Sequence, residues 1–321
     1  MKKNTIVFYF IVAVALAACG TRDKEVTGLY HIGIVQISES VLLDDARRGV
    51  IDALREEGFT DGKNIRISYK SAQGELSNIP LIIKEFVASR ASMIITDSTP
   101  CMVAAAQIVK DIPVVFTVAF SPEQLKMKYP PKNLTGVDDP ATMTNMVGLI
   151  KTCLPGIRRL GIPFNPSEQN AVLAAENIRA ECRKNGIELV EMNVFSTSDV
   201  QQNVGALAQK NIQAMVVSAD NTLATGMSAV VKICTERKIP LFVTEPGEVE
   251  RGACAGMGAD FYEWGRQSGR MAAEIIRGKK PQDIPVQKLS ATKLYLNLTA
   301  AKAQGVTFPQ ELLKKATKVI N

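Results

Sequence analysis

Short apolar runs alternate with amphipathic helical stretches from His31 onward. His31–Ile37 reads as a buried strand, and 44–57 sets Ala46, Val50, Ile51 and Leu54 on one helical face, with Gly58 fitting the C′ position. Asn64–Tyr69 alternates as a second strand. A helix over 79–90 leads to the strand Met93–Thr96 and then to a helix opening at Thr99-Pro100, where proline suits the first turn. Asp111–Phe116 is the next strand. The plan then repeats: strand Arg159–Phe164, helix Val172–Lys184 closing on Asn185-Gly186, alternating strand Ile187–Val194, strand Met215–Val217, and strand Lys238–Val243.

One stretch organises the rest. Met215-Val-Val-Ser-Ala-Asp-Asn-Thr-Leu223 is an apolar run that stops abruptly at Ser218, Asp220, Asn221 and Thr222, all good helix N-caps, before a helical pattern at Met227, Val230, Val231 and Cys234. Met93-Ile-Ile-Thr-Asp-Ser-Thr-Pro100 has the same form. The offsets hold nearly constant: 128 from Gly33 to Gly161 and from Gly58 to Gly186, 122 from Met93 to Met215, 127 from Ile112 to Ile239. Four segments in register predict an α/β fold of two lobes of like topology, each a right-handed doubly wound parallel sheet. Residues 133–141 suit a crossing strand between the lobes. After Val243 there is a surplus helix over 262–277 and a surplus strand over 293–298, which implies that the chain crosses back near Glu250 and returns near Pro281. The expected division is 30–138 with about 251–281 in the first lobe, and about 139–250 with 282–321 in the second, joined by a three-crossing hinge. Helices over 300–304 and 310–320 are expected to cover the second lobe.

The start of the chain is a separate unit. Lys2-Lys3 precede an apolar run, Ile6 to Ala18, of 13 residues, shorter than the ~20 needed to span a bilayer and typical of a secretory signal. Leu16-Ala-Ala-Cys19-Gly20 resembles the bacterial lipobox, which implies removal of residues 1–18, diacylation of Cys19, and a polar tether over 19–29 outside the inner membrane. Two acyl chains suffice for stable anchoring. Removing Lys2 and Lys3 from 38 basic residues leaves 36 against 32 acidic ones. That excess is spread thinly and is not interleaved with aromatics, so nucleic acid is excluded as a partner. The five other cysteines form no CxxC pair or Cys/His cluster and read as small buried hydrophobes.

Catalytic chemistry is scarce. His31 is the only histidine, which rules out any two-histidine metal site, and its place at the start of an apolar strand suits a structural role rather than the general base of a Ser-His-Asp triad. No glycine-rich nucleotide loop is present, and no cofactor is implied. What remains is a set of polar residues at strand ends, where open parallel sheets bind ligands. The first lobe offers Gln36 and Ser38, Ser98 and Thr99, and Ser121; the second offers Asn165, Glu168 and Asn170, Asp220 and Asn221, and Glu245. Helix starts at Thr99 and near Glu168–Asn170 could receive a carboxylate. Asp220, Glu168 and Glu245 could take an ammonium, since acids in a closing cleft are costly without a cation. Tyr262 or Phe120 could stack on a ring.

Seven segments together carry a resemblance: Gly33-Ile-Val-Gln36, Gly58-Phe-Thr-Asp-Gly-Lys-Asn64, Asp111-Ile-Pro-Val-Val-Phe116, Asn133-Leu-Thr-Gly-Val137, Phe164-Asn-Pro-Ser-Glu168 with Asn170, Ala219-Asp-Asn-Thr222, and Tyr262-Glu-Trp-Gly-Arg-Gln267. Over about His31 to Pro309 the chain resembles ABC-transporter substrate-binding lipoproteins of the kind that includes tryptophan/tyrosine binders, a branch of the periplasmic-binding-protein type I fold. The resemblance implies a non-enzymatic protein that closes on a small polar or amino-acid-like solute and hands it to an ABC permease and its ATPase. Three positions depart from the family pattern. Ser121 stands where the family's Thr-Asp-Pro-Val-like loop has an acid, Ala171 stands for a serine, and Ser38-Glu-Ser-Val41 replaces a Glu-His-Pro-like loop. A ligand-sensing lipoprotein that signals to a membrane partner is the alternative reading, and a two-carboxylate hydrolase a third.

Overall fold

The computed structural model describes residues 28–138, 143–289 and 292–321; the signal segment, Cys19 and most of the tether lie outside the described residues. The first sheet is built by β1 (Tyr30–Gln36), α1 (Val41–Glu56), β2 (Ile65–Ser71), α2 (Asn78–Ala88), β3 (Met93–Asp97), α3 (Thr99–Ile108), β4 (Val114–Ala119) and β5 (Leu134–Asp138). After α4 (Met143–Cys153) the second sheet repeats the plan: β6 (Arg159–Phe164), α5 (Gln169–Lys184), β7 (Glu188–Asn193), α6 (Val200–Ala208), β8 (Ala214–Val217), α7 (Asn221–Thr225), α8 (Met227–Arg237), β9 (Leu241–Val243), α9 (Gly247–Glu250) and β10 (Ala255–Ala259). The chain closes with α10 (Phe261–Ile276), β11 (Gln287–Lys288), β12 (Thr292–Asn297), α11 (Leu298–Gln304), α12 (Gln310–Lys315) and β13 (Lys318–Ile320).

Strand order is β11-β5-β4-β3-β1-β2 in the first sheet and β13-β12-β10-β9-β8-β6-β7 in the second. All pairs are parallel except β10 with β12. The shared order 2-1-3-4-5 across β1–β5 and β6–β10 is the duplication that the sequence offsets report. Central strands are apolar on both faces because helices cover both: every residue of β3 and of β8 is buried. In the first lobe, α1 and α10 cover one face and α2 and α3 the other; in the second, α5 covers one face and α6 and α8 the other.

The lobe boundaries differ from the sequence expectation, for a topological reason. The fifth strand of each repeat stays in its own sheet, and only the helix after it crosses over. α4 therefore packs on α5 of the second lobe, and α10 packs on α1 of the first. The second crossing follows Ala259 rather than lying near Glu250. The third follows Leu289, beyond β11, rather than lying near Pro281. At this hinge Lys293 of β12 donates to Asp260, which also caps α10 by accepting from the Glu263 amide at 3.0 Å. Leu134–Asp138 is a full sheet strand that precedes its crossing. Residues 318–320 form a strand beside β12 instead of ending a helix, and α4 and α6 had no counterpart in the sequence reading.

Two glycines set how closely the returning helix seats. A Cβ on Gly265 would stand 1.8 Å from the Ala46 carbonyl oxygen, and one on Gly49 would stand 2.1 Å from that of Tyr262. No side chain larger than hydrogen fits between these backbones, so α1 and α10 act as one layer.

Candidate ligand cleft

The C-terminal strand ends of the two sheets face each other across a shared cleft lined from both lobes. The first lobe contributes Ser38, Ser40, Leu42 and Leu43 from the start of α1, Thr99 from α3, Val118, Ala119 and Phe120 from the end of β4, and Phe261 and Trp264 from α10. The second contributes Asn170, Ala219, Asp220, Asn221, Ala224, Thr244 and Glu245. Polarity is thus divided: one wall is apolar, aromatic and hydroxylated, the other rich in acids and amides. No Lys, Arg or His is among the described residues lining it.

The acidic wall is held by a hydrogen-bond network. Glu168, 3% exposed, accepts from the Asn221 amide (3.1 Å) and side chain (2.5 Å), the Thr222 amide (3.1 Å) and hydroxyl (2.7 Å), and Asn170 Nδ2 (3.1 Å). Asp220 accepts from the Leu223 amide at 2.8 Å and the Asn165 amide at 2.6 Å. Burial, and then the Glu168 charge, push the Asp220 carboxyl up to about 8. The Asn165 side chain is spent on Thr222, Phe195 and Ser167. Asn170 donates to Glu168 and to the Ala219 carbonyl (2.6 Å), but its buried Oδ1 receives no hydrogen bond from the protein. It is an open acceptor in a residue that lines the cavity.

On the other wall, Gln36 is consumed within its lobe: Nε2 donates to the Ser38 carbonyl and Asp44, and Oε1 accepts from Arg47. Thr99 Oγ1 accepts from the Phe120 amide at 3.1 Å and fixes the end of β4. The Ser121 amide donates to Asp138 at 2.9 Å, and Ser121 Oγ caps Gln124. Of the residues singled out in the sequence, Ser38, Thr99, Asn170, Asp220, Asn221 and Glu245 line the cavity. Gln36, Ser98, Ser121, Asn165 and Glu168 are buried and do not line it. Phe120 is among the lining residues. Tyr262 turns away, bonding Asp52 at 3.0 Å beneath Arg48, and Phe261 and Trp264 take the place expected for it. Leu43, Phe261 and Trp264 carried no signal in the sequence as site residues, because only the α10 crossover brings them together.

His31 sits at the far end of β1, bonded to Ser68 at 2.9 Å. Cys101, Cys153, Cys182, Cys234 and Cys254 are buried and unbridged. Among the described residues there is no His/Cys/Asp/Glu group placed to hold a metal, and no helix long and apolar enough to cross a membrane.

Residues 31–320 match the family model described as ABC transporter substrate binding protein. The chain belongs to that family. It is 33% identical over 277 residues to the tyrosine-binding protein of Clostridioides difficile (strain R20291), covering 85% of this chain and 80% of that one. An ABC domain from Streptococcus pneumonia solved in complex with L-Trp superposes with a TM-score of 0.85 at 30% identity, over 91% of this chain and 100% of that one. A ligand-free, open substrate-binding protein with adhesive properties from Clostridium difficile, with equal coverage and 31% identity, reaches only 0.67. The architecture is the periplasmic-binding-protein type I fold, and the family binds solutes rather than transforming them.

Proposed function

We propose that this chain is the lipid-anchored, extracytoplasmic binding component of an ABC importer, and that it captures an apolar or aromatic amino-acid-like zwitterion between its lobes. One observation carries the reading: an acceptor wall with Asp220 and the open Asn170 Oδ1, no basic side chain among the described residues lining the cavity, and an apolar wall opposite. Such a cavity lacks a cation of its own, and a ligand ammonium supplies it. The ring or aliphatic end rests on Leu43, Val118, Phe120 and Trp264. The carboxylate goes to Ser38, Ser40 and Thr99 at the positive ends of α1 and α3. The tyrosine-binding relative and the L-Trp complex support the same ligand class. Micromolar affinity needs only about 8 kcal/mol, within reach of these groups.

Titration calorimetry with L-Tyr, L-Trp, L-Phe, L-Leu and their N-acetyl derivatives tests the reading. At least one free amino acid is expected to bind and to raise the melting temperature by linkage, N-acetylation to abolish binding, and Asn170→Leu to weaken it at least tenfold. Equal binding of the N-acetyl forms would defeat the ammonium assignment. The anchor rests on Leu16-Ala-Ala-Cys19. Cys19→Ser is expected to move the protein from the membrane fraction to the soluble one, and retention in the membrane would refute lipidation at that residue.

A further inference from the structure

Behind the apolar wall runs a row of polar side chains that the ligand reading leaves unused. Register places Gln36 of β1 beside Asp97 of β3, and Asp97 beside Thr117 of β4, all three on the sheet face that carries α1 and α10. Gln36 is fully engaged, but its neighbours are not. Asp97 is 0% exposed and neither carboxyl oxygen has a hydrogen-bond partner; Thr117 is 1% exposed and its hydroxyl has none. Arg47, whose charge reaches Asp97, is committed to Gln36 at 2.8 Å, to Asp44 at 3.0 Å, and to the face of Tyr69 at 3.9 Å.

A buried carboxyl without a donor is strongly disfavoured, and the backbone here carries strain as well. Ser98, which follows Asp97, adopts φ 120 and ψ 156, a region almost confined to glycine. Val118, which follows Thr117, has φ 48 at a register shift between Phe116 and Ala119, unusual for a β-branched residue. Val118 lines the cavity, as does Thr99 next to Ser98, and Leu43 and Trp264 line it from the helices over the same face. Asp97 and Thr117 are thus buried two positions before Thr99 and one before Val118, two residues that line the cavity.

We propose that Asp97 and Thr117 form the inner end of the ligand site, an acceptor pair for a hydrogen-bond donor at the far tip of the solute's side chain, such as a phenol hydroxyl or an indole N–H. The inference rests on the amino-acid reading above and sharpens it to donor-tipped side chains. A site with buried polar groups discriminates strongly against an analogue lacking the matching donor, because those groups are then left unpaired.

Paired titrations separate the two ideas: L-Tyr against L-Phe, and L-Trp against 1-methyl-tryptophan, with L-Lys as a cationic tip. The full chain is expected to prefer the donor-bearing member of at least one pair by tenfold or more. Asp97→Val is expected to bring that ratio close to one through weaker binding of the donor-bearing member, and to raise the melting temperature of the ligand-free protein. Thr117→Val, nearly isosteric, is expected to lower the ratio in the same direction, and decides the matter should Asp97→Val fail to fold. Equal affinity within both pairs, or an unchanged ratio in the variants, overturns this inference and leaves the amino-acid reading standing. L-Lys binding above all the aromatics also overturns it. No binding by any amino acid overturns the reading beneath it, and this inference with it.

Discussion

Glu168→Ala is expected to cost about 3–5 kcal/mol of stability, as breaking a buried charged network does, and to abolish ligand binding. The carboxylate gathers five donors from Asn170, Asn221 and Thr222; alanine leaves them buried with nothing to accept them. For domains of this size the loss corresponds to a melting-temperature drop of the order of 10 °C, measurable by calorimetry. A second readout separates the network from simple loosening. Asp220, lifted to about 8 by burial and by the Glu168 charge, stands above its unfolded value of ~3.9. The folded protein then holds a proton that the unfolded chain has released. This contribution to stability is full below about pH 4 and is lost as pH rises through 8. The native protein is expected to melt lower at about pH 9 than at about pH 6 through this group. Without Glu168 the second cause of the shift is gone, and the slope should flatten. A slope as steep in Glu168→Ala as in the native chain would show that the two carboxyls are not coupled.

Gly265→Ala is expected to destabilise the first lobe by about 3 kcal/mol, at the upper end of ordinary overpacking. The added methyl would meet the Ala46 carbonyl oxygen at 1.8 Å and its carbon at 2.7 Å. Both are backbone atoms of a helix, so no side chain can swing aside. α1 and α10 must separate, and with them Leu43 and Trp264, which line the cavity from the two helices. Affinity should therefore fall alongside stability. Gly148→Ala in α4 is the control: nothing lies within 4 Å of its Cβ, and alanine there should stabilise by about 0.5–1 kcal/mol. If Gly265→Ala melts no lower than that control, the tight seating of α10 is not what holds the layer.

The sequence by itself determined the duplication, because the strand–cap–helix pattern at Met93–Pro100 and Met215–Leu223 is local and repeats at a nearly fixed offset. It also determined that the strand ends carry the polar residues, since Asp220 and Thr99 announce themselves as cap chemistry directly after apolar runs. Which of those residues face the ligand was decided by tertiary structure. Asn165 and Glu168 look like ligand groups in one dimension, yet fold onto hydrogen-bond partners from a neighbouring strand end 53 to 57 positions away, and no local pattern encodes that distance. Phe120 apart, the apolar half of the cavity was invisible for the same reason. Phe261 and Trp264 read as an ordinary helix face until the chain crosses after Ala259 and lays α10 on α1. Asp97 belongs to both accounts: its place at the end of a strand is legible in the sequence, but that no donor reaches its carboxyl follows only from the packing of two helices across that face.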